Sequence, residues 1–231
     1  MKRLCKGLVA ACTFAALVST AVAQSSTAYS SSAVGVVKKT LPAGGRILMS
    51  IPLDQEGDTG EGYVFSSVPA LANLPNLTSV YFWDVTNQTW ITMSKTRGSW
   101  GAQKNRVIAP GESFFIVSGV QTNIEMVFSG EVPNDPQLSK GLAGGNARSL
   151  VANPYPVSMV FTNLAFASQL ANLSSVYFWD AQNQTYVTMS KTRGNWGALK
   201  DRQIQPGEGF FIISAGNDST WTEVRPYTWP N

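Results

Sequence analysis

Residues 77–119 of the chain recur as residues 173–215, identical at 30 of 43 positions without a gap. The offset is 96 residues both at Val80-Tyr81-Phe82-Trp83-Asp84 against Val176-Tyr177-Phe178-Trp179-Asp180 and at Pro110-Gly111-Glu112 against Pro206-Gly207-Glu208. That period is too long for a solenoid unit and suits a small domain. A site carried by one copy is therefore expected to occur twice or to be an addition to that copy. Upstream, residues 46–51 match 148–152 more loosely, at an offset of 102.

The first 23 residues have a different character. Lys2, Arg3 and Lys6 precede an apolar stretch over residues 7–18, and Ala21-Val22-Ala23 offers small residues for cleavage before Gln24. This is the pattern of a secretory signal peptide. It holds three of the 17 Lys and Arg residues and no acid, so the mature chain carries 14 cations against 14 acids. Cys5 and Cys12 also lie in it, and the chain has no histidine. Thiol catalysis, histidine base chemistry and Cys/His zinc sites are thereby excluded from the mature protein. A neutral, exported chain is a poor reader of phosphate backbones, so no nucleic acid partner is expected. No later apolar run reaches the length of a membrane helix.

The rest of the sequence predicts strands. Residues 80–83, 90–93 and 113–118 are short, aromatic and β-branched, and set off by Asn, Gly and Pro. Residues 80–83 and 114–117 are apolar at consecutive positions, which predicts strands covered on both faces. The partner sheet of a sandwich and a short helix in residues 68–77 (162–173 in the second copy) are the candidate covers. Pro110-Gly111 and Pro206-Gly207 suit the centre of a type II turn leading into the Phe-Phe strands. The expected fold is all-β: two tandem homologous β-sandwich or barrel-like modules, each with a short helix. The expected boundaries are a flexible leader at 24–33, module one at 34–132, a connection at 133–147 of which part can pair as a strand, and module two at 148–231.

Leu150-Val151-Ala152-Asn153-Pro154, Val176-Tyr177-Phe178-Trp179-Asp180, Gly194-Asn195-Trp196 and Pro206-Gly207-Glu208-Gly209-Phe210-Phe211-Ile212 together resemble a repeat of secreted bacterial proteins. The resemblance spans most of the mature chain and implies no activity. Many proteins of that group end in a sorting tail with an apolar helix and basic residues. The ending Tyr227-Thr228-Trp229-Pro230-Asn231 has no such pattern, which favours free secretion or association with a partner.

The sharpest candidate for ligand contact is Lys95-Thr96-Arg97-Gly98-Ser99-Trp100-Gly101, followed by Lys104 and Arg106, and its copy with Lys191, Arg193 and Trp196. If the flanking stretches pair as strands, four cations gather beside Trp100, a patch suited to an acidic glycan or phosphate. The competing expectation is a solvated hairpin whose charges protect a strand edge. Trp90 is the surface aromatic candidate, because it faces opposite to Ile91 and Met93 on its strand, and its counterpart is the amphipathic Tyr186. Trp83 belongs to a continuous apolar run and is assigned to the core.

Asp84 and Glu112, with Asp180 and Glu208, give each copy a carboxylate pair, the minimum for glycoside hydrolysis. Both sit where turns use polar residues, so turn geometry is the preferred role. Asp54, Glu56, Asp58 and Glu61 alternate as weak calcium candidates without the glycine and final glutamate of an EF-hand loop. Asp58-Thr59-Gly60 lacks the strand context of an aspartic protease and has no second copy. Asn76, Asn87, Asn172, Asn183 and Asn217 begin Asn-x-Ser/Thr triplets, which matter only in a glycosylating host.

No cofactor and no enzymatic activity are expected. The expected function is a secreted structural or adhesive role at the cell surface or in extracellular matrix, through contact with a matrix polymer, a surface glycan, a protein or a second copy of the chain. The alternative is a lectin-like protein that binds carbohydrate through the Arg-Gly-x-Trp-Gly hairpins.

Overall fold

The computed structural model describes residues 33–55 and 62–228. The signal-peptide reading, nearly all of the leader, Glu56, Asp58, Glu61 and the Asp58-Thr59-Gly60 tripeptide lie outside them. The described chain is all-β with two short helices. Copy one contributes β1 (Val34–Leu41), β2 (Arg46–Met49), β3 (Tyr63–Val64), α1 (Pro69–Ala72), β4 (Ser79–Asp84), β5 (Thr89–Ser94), β6 (Val107–Ile108), β7 (Phe114–Val117) and β8 (Ile124–Glu131). Copy two repeats the order with β9 (Gln137–Leu142), β10 (Arg148–Ala152), β11 (Met159–Val160), α2 (Ala165–Gln169), β12 (Ser175–Asp180), β13 (Thr185–Ser190), β14 (Gln203–Ile204), β15 (Gly209–Ile213) and β16 (Ser219–Val224). Strand β9 falls in the stretch expected to connect the copies and pairs with β16.

Each copy forms a four-stranded antiparallel sheet, ordered β2-β7-β4-β5 and β10-β15-β12-β13. Alternation along the strands sorts their large side chains onto two faces. Val80 and Phe82 of β4, with Phe114 and Ile116 of β7, enter one core together with Leu71 and Leu74 from around α1 and Met126 and Phe128 from β8. Val176, Phe178, Phe210 and Ile212 do the same in copy two, beneath Phe166, Leu170 and Trp221. Each outer sheet face is thus covered by its own helix and two-stranded ribbon.

The opposite faces meet each other. Leu48 and Phe115 from copy one pack with Leu150 and Phe211 from copy two, flanked by Tyr81, Trp83, Tyr177 and Trp179. Rings interlock across this seam, Trp83 with Phe211 at 5.9 Å and Phe115 with Trp179 at 5.4 Å between centroids. The expected sandwich is therefore built between the copies and not inside each one, and neither sheet closes into a barrel. The cause is the size of the alternate residues: Tyr81, Trp83 and Phe115 form an apolar face that only a second sheet is broad enough to cover. The described residues of both copies belong to one compact unit.

The seam is reciprocal, as a two-fold interface between subunits would be. Trp83 Nε1 donates to the Arg148 carbonyl at 2.9 Å and Trp179 Nε1 to the Arg46 carbonyl at 3.0 Å. Gln88 brackets the backbone of Arg148, accepting from its N–H at 2.8 Å, and Gln184 accepts from the Arg46 N–H at 2.9 Å. At the other end of the same strands, Ser50 N–H donates to the Gly207 carbonyl and Ala152 N–H to the Gly111 carbonyl. The edge strands β2 and β10 thereby spend backbone groups on the other copy, which blunts two edges that would otherwise invite foreign strands.

In copy two, the C-terminal segment folds back on the connection. Tyr227 Oη donates to the Pro133 carbonyl at 2.7 Å and Arg225 Nη1 to Asn134 Oδ1 at 2.6 Å. Beneath them Tyr155 is fully buried, and its hydroxyl donates to the Glu223 carbonyl at 3.3 Å. Burial, reinforced by the charge of Asp135, pushes its phenol up to about 12. The unfolded chain releases this proton near pH ~10, so the folded state holds more protons between about 10 and 12 and loses stability as pH rises through that window. The contribution is complete below pH ~10. Urea unfolding across the window is expected to give a falling stability whose slope is reduced in Tyr155→Phe, and an unchanged slope would remove Tyr155 as its source.

Candidate functional site

The repeated Lys-Thr-Arg-Gly segment is a hairpin end held from below. Thr96 and Ser99 exchange backbone hydrogen bonds of 2.9 Å around Arg97 (φ +49°) and Gly98 (φ +79°). Positive φ at both central positions is the type I′ turn, which matches the twist of its strands and favours Asn-Gly. Asn76 Oδ1 accepts from the Gly98 N–H at 2.7 Å, and Asn172 Oδ1 from the Gly194 N–H at 2.7 Å. These asparagines thus have a structural use as turn anchors.

Lys95 and Lys191 point inward and are 8% and 7% exposed. Lys95 Nζ donates to the carbonyls of Ala72 and Leu74, at 2.6 Å each, around the end of α1. Lys191 Nζ donates to Ala167, Ser168 and Leu170 around the end of α2. Trp100 and Trp196 are 6% and 5% exposed and pack edge-on against Phe65 and Phe161, with centroids 5.0 Å apart in both. Neither indole is open to a sugar face, and the cluster of four cations that strand pairing would have made does not form. After Trp100 the chain turns into a 3-10 helix over Gly101–Asn105 and does not pair as a strand. Lys104 lies in that turn, and Arg106 is drawn to Glu112. The inward course of Lys95 follows the pleat, since Ile91, Met93 and Lys95 share one side. Arg97 and Arg193 remain exposed at the tips.

An arginine at positive φ is strained, because its Cβ crowds the following carbonyl. Arg97→Asn and Arg193→Asn are each expected to stabilise the fold by about 0.5–1 kcal/mol. Chemical denaturation measures this directly, and a loss of stability would mean that the Arg side chain contributes contacts outweighing the strain.

The carboxylates are committed to structure. Glu112 receives Arg106 Nη2 and the Ala109 N–H on its two oxygens, and Glu208 receives Arg202 Nη2 and the Gln205 N–H. Each arginine also lies over an aromatic ring, Arg106 over Phe82 at 4.3 Å and Arg202 over Phe178 at 4.5 Å. Each pair meets a lysine from the other copy. Burial lowers the pKa of Lys39, with Glu208 opposing the shift, while burial lowers Lys140, opposed by Glu112. Lys39 Nζ also donates to the Pro206 carbonyl at 2.7 Å. Asp84 and Asp180 close the β4–β5 and β12–β13 turns, accepting from the side-chain amides of Asn87 and Asn183 and from backbone N–H groups. These hydrogen bonds hold both carboxyls below the usual range. Asp54 exchanges backbone hydrogen bonds of 2.8 Å with Glu131.

The two remaining sequence candidates come together. Trp90 and Tyr186 are 38% and 41% exposed, and both border a cleft of about 290 Å³ at the mouth of the seam. Its other walls are Tyr177, Phe211, Ile213 and Arg148. Trp90 is braced edge-on by Trp83 at 5.0 Å and Phe211 at 5.8 Å, and Tyr186 by Trp179 at 4.9 Å and Phe211 at 6.4 Å. Burial raises the Tyr186 phenol, and the charges acting on it, Arg46 and Arg148, oppose that rise. Sequence reasoning did not find Arg148, Tyr177, Phe211 or Ile213. The available signal was the recurrence of an arginine at the start of a strand, Arg46 and Arg148. No family model, curated protein or solved structure matches the chain.

Proposed function

We propose that the chain is a secreted, non-enzymatic protein with a structural or adhesive role, and that the seam cleft is the surface it presents to a matrix polymer or cell-surface ligand. The observation that carries this is the convergence of Trp90 from copy one and Tyr186 from copy two on one cleft. Exposed aromatic rings fixed by neighbours, with polar groups at the rim, are what a binding site needs and a solvated surface avoids. The acids that would otherwise suggest hydrolysis are engaged in ion pairs and turn closures. Among the described residues no helix is long and apolar enough to cross a membrane, and the export signal expected from the sequence would place the chain outside the cytoplasm.

The mature chain is expected to be retained on washed cells or extracellular matrix. Trp90→Ala combined with Tyr186→Ala should reduce that retention at least about tenfold, as loss of central aromatic anchors does, while circular dichroism stays unchanged. Equal retention of the double variant, or no retention of the native chain, would refute this function.

A further inference from the structure

We infer that the seam cleft takes an acidic sugar unit of a uronate-containing polysaccharide, with the pyranose ring against Trp90 and Tyr186 and its carboxylate on the Arg148 guanidinium. This rests on the binding role proposed above and adds the chemical class of the ligand.

The charge at the cleft is one-sided. Arg148 lines it and is exposed. Its backbone N–H and carbonyl are held by Gln88 and Trp83, so the residue's position is fixed while its head is free to reach a ligand. The ion pairs Arg106–Glu112 and Arg202–Glu208 do not involve Arg148. On the other copy, Arg46 lies over the Trp179 ring at 5.4 Å, and Trp179 in turn packs on Tyr186. A second guanidinium thus stands against the same aromatic group. A planar fork of N–H donors matches a carboxylate in bidentate geometry. A neutral sugar would leave that charge unused, and an inorganic anion would leave the rings unused. Tyr177 and Tyr186 line the cleft, and a phenol hydroxyl can both donate to and accept from sugar hydroxyls. At about 290 Å³ the cleft is at the small end of ligand sites, which suits one ring of a polymer running across its mouth.

The experiment uses the mature chain, residues 24–231, with polygalacturonate, alginate and hyaluronan, each beside its carboxyl-reduced neutral form, in affinity electrophoresis and calorimetry. At least one acidic polymer is expected to bind, with its reduced form about ten- to a hundredfold weaker. Arg148→Gln should lower acid-form binding by the same factor without changing the reduced form, and Trp90→Ala should weaken both. Added salt should weaken the acidic polymer selectively. Equal binding of acidic and reduced forms, insensitive to Arg148→Gln, would overturn the acidic class and leave the cleft as a binding site. Retention of the chain on matrix through Trp90 and Tyr186, with none of the acidic polymers bound, would overturn it as well. No retention on any polymer or matrix would overturn both proposals together.

Discussion

Phe211→Ala is expected to destabilise the protein by about 3–5 kcal/mol, the cost of emptying a buried phenylalanine site. The residue is 7% exposed and lies on the seam face, with Trp83, Trp90 and Tyr186 around its ring. These neighbours come from both copies and are fixed by their strands, so they cannot close into the space without shifting the sheets. For a chain of this size the melting temperature should fall on the order of 10 °C. Phe115→Ala removes the equivalent ring, packed on Trp90 and Trp179, and should cost a similar amount because the seam is reciprocal. Calorimetric or urea unfolding measures both. A loss below about 1 kcal/mol in both variants would mean that the two sheets do not depend on their shared face.

Lys191→Met should cost about 3 kcal/mol, at the scale of stranding buried carbonyls. Methionine matches the length of the lysine stem but cannot donate, so the carbonyls of Ala167, Ser168 and Leu170 lose their common partner. Carbonyls at a helix end have no intrahelical partner and are commonly met by a cation. Trp196 Nε1 also donates to the Ala167 carbonyl at 2.8 Å, so that group is left with one bond and the other two carry most of the loss. Lys95→Met strands the carbonyls of Ala72 and Leu74 and should cost somewhat less, about 2 kcal/mol. Lys191→Arg should not rescue, because a rigid planar fork cannot aim three bonds from one point. Urea midpoints measure the series with an unchanged m value. A methionine variant as stable as the native chain would show that water reaches those carbonyls.

Residues 80–83, 90–93 and 113–118 correspond to β4, β5 and β7, because pleat periodicity and turn residues act over a few positions. The roles of Asp84 and Glu112 in turns were legible for the same reason. The Lys-Thr-Arg-Gly-x-Trp-Gly segment was harder to read. Its charges suggest a surface patch, yet the alternation that continues from Met93 to Lys95 turns the lysine inward to the end of α1. A charged residue type outweighs its position in such an inference only when no buried acceptor lies nearby, and a one-dimensional pattern does not reveal the acceptor.

Consecutive apolar residues in 80–83 and 114–117 require that both strand faces be covered, and nothing in those stretches says by what. That choice is made by the largest apolar surface that can be removed from water at once. Here it is the matching face of the other copy, so Leu48, Phe115, Leu150 and Phe211 meet. Trp90 and Tyr186 were recognisable as surface aromatics from local alternation. Their convergence beside Arg148 and Phe211 arises from the packing of one whole sheet on another. Local backbone geometry is set by neighbours in the chain, and it is readable there. The seam and its cleft are set by the burial of faces whose residues are far apart in sequence, and they appear only when those faces are brought together.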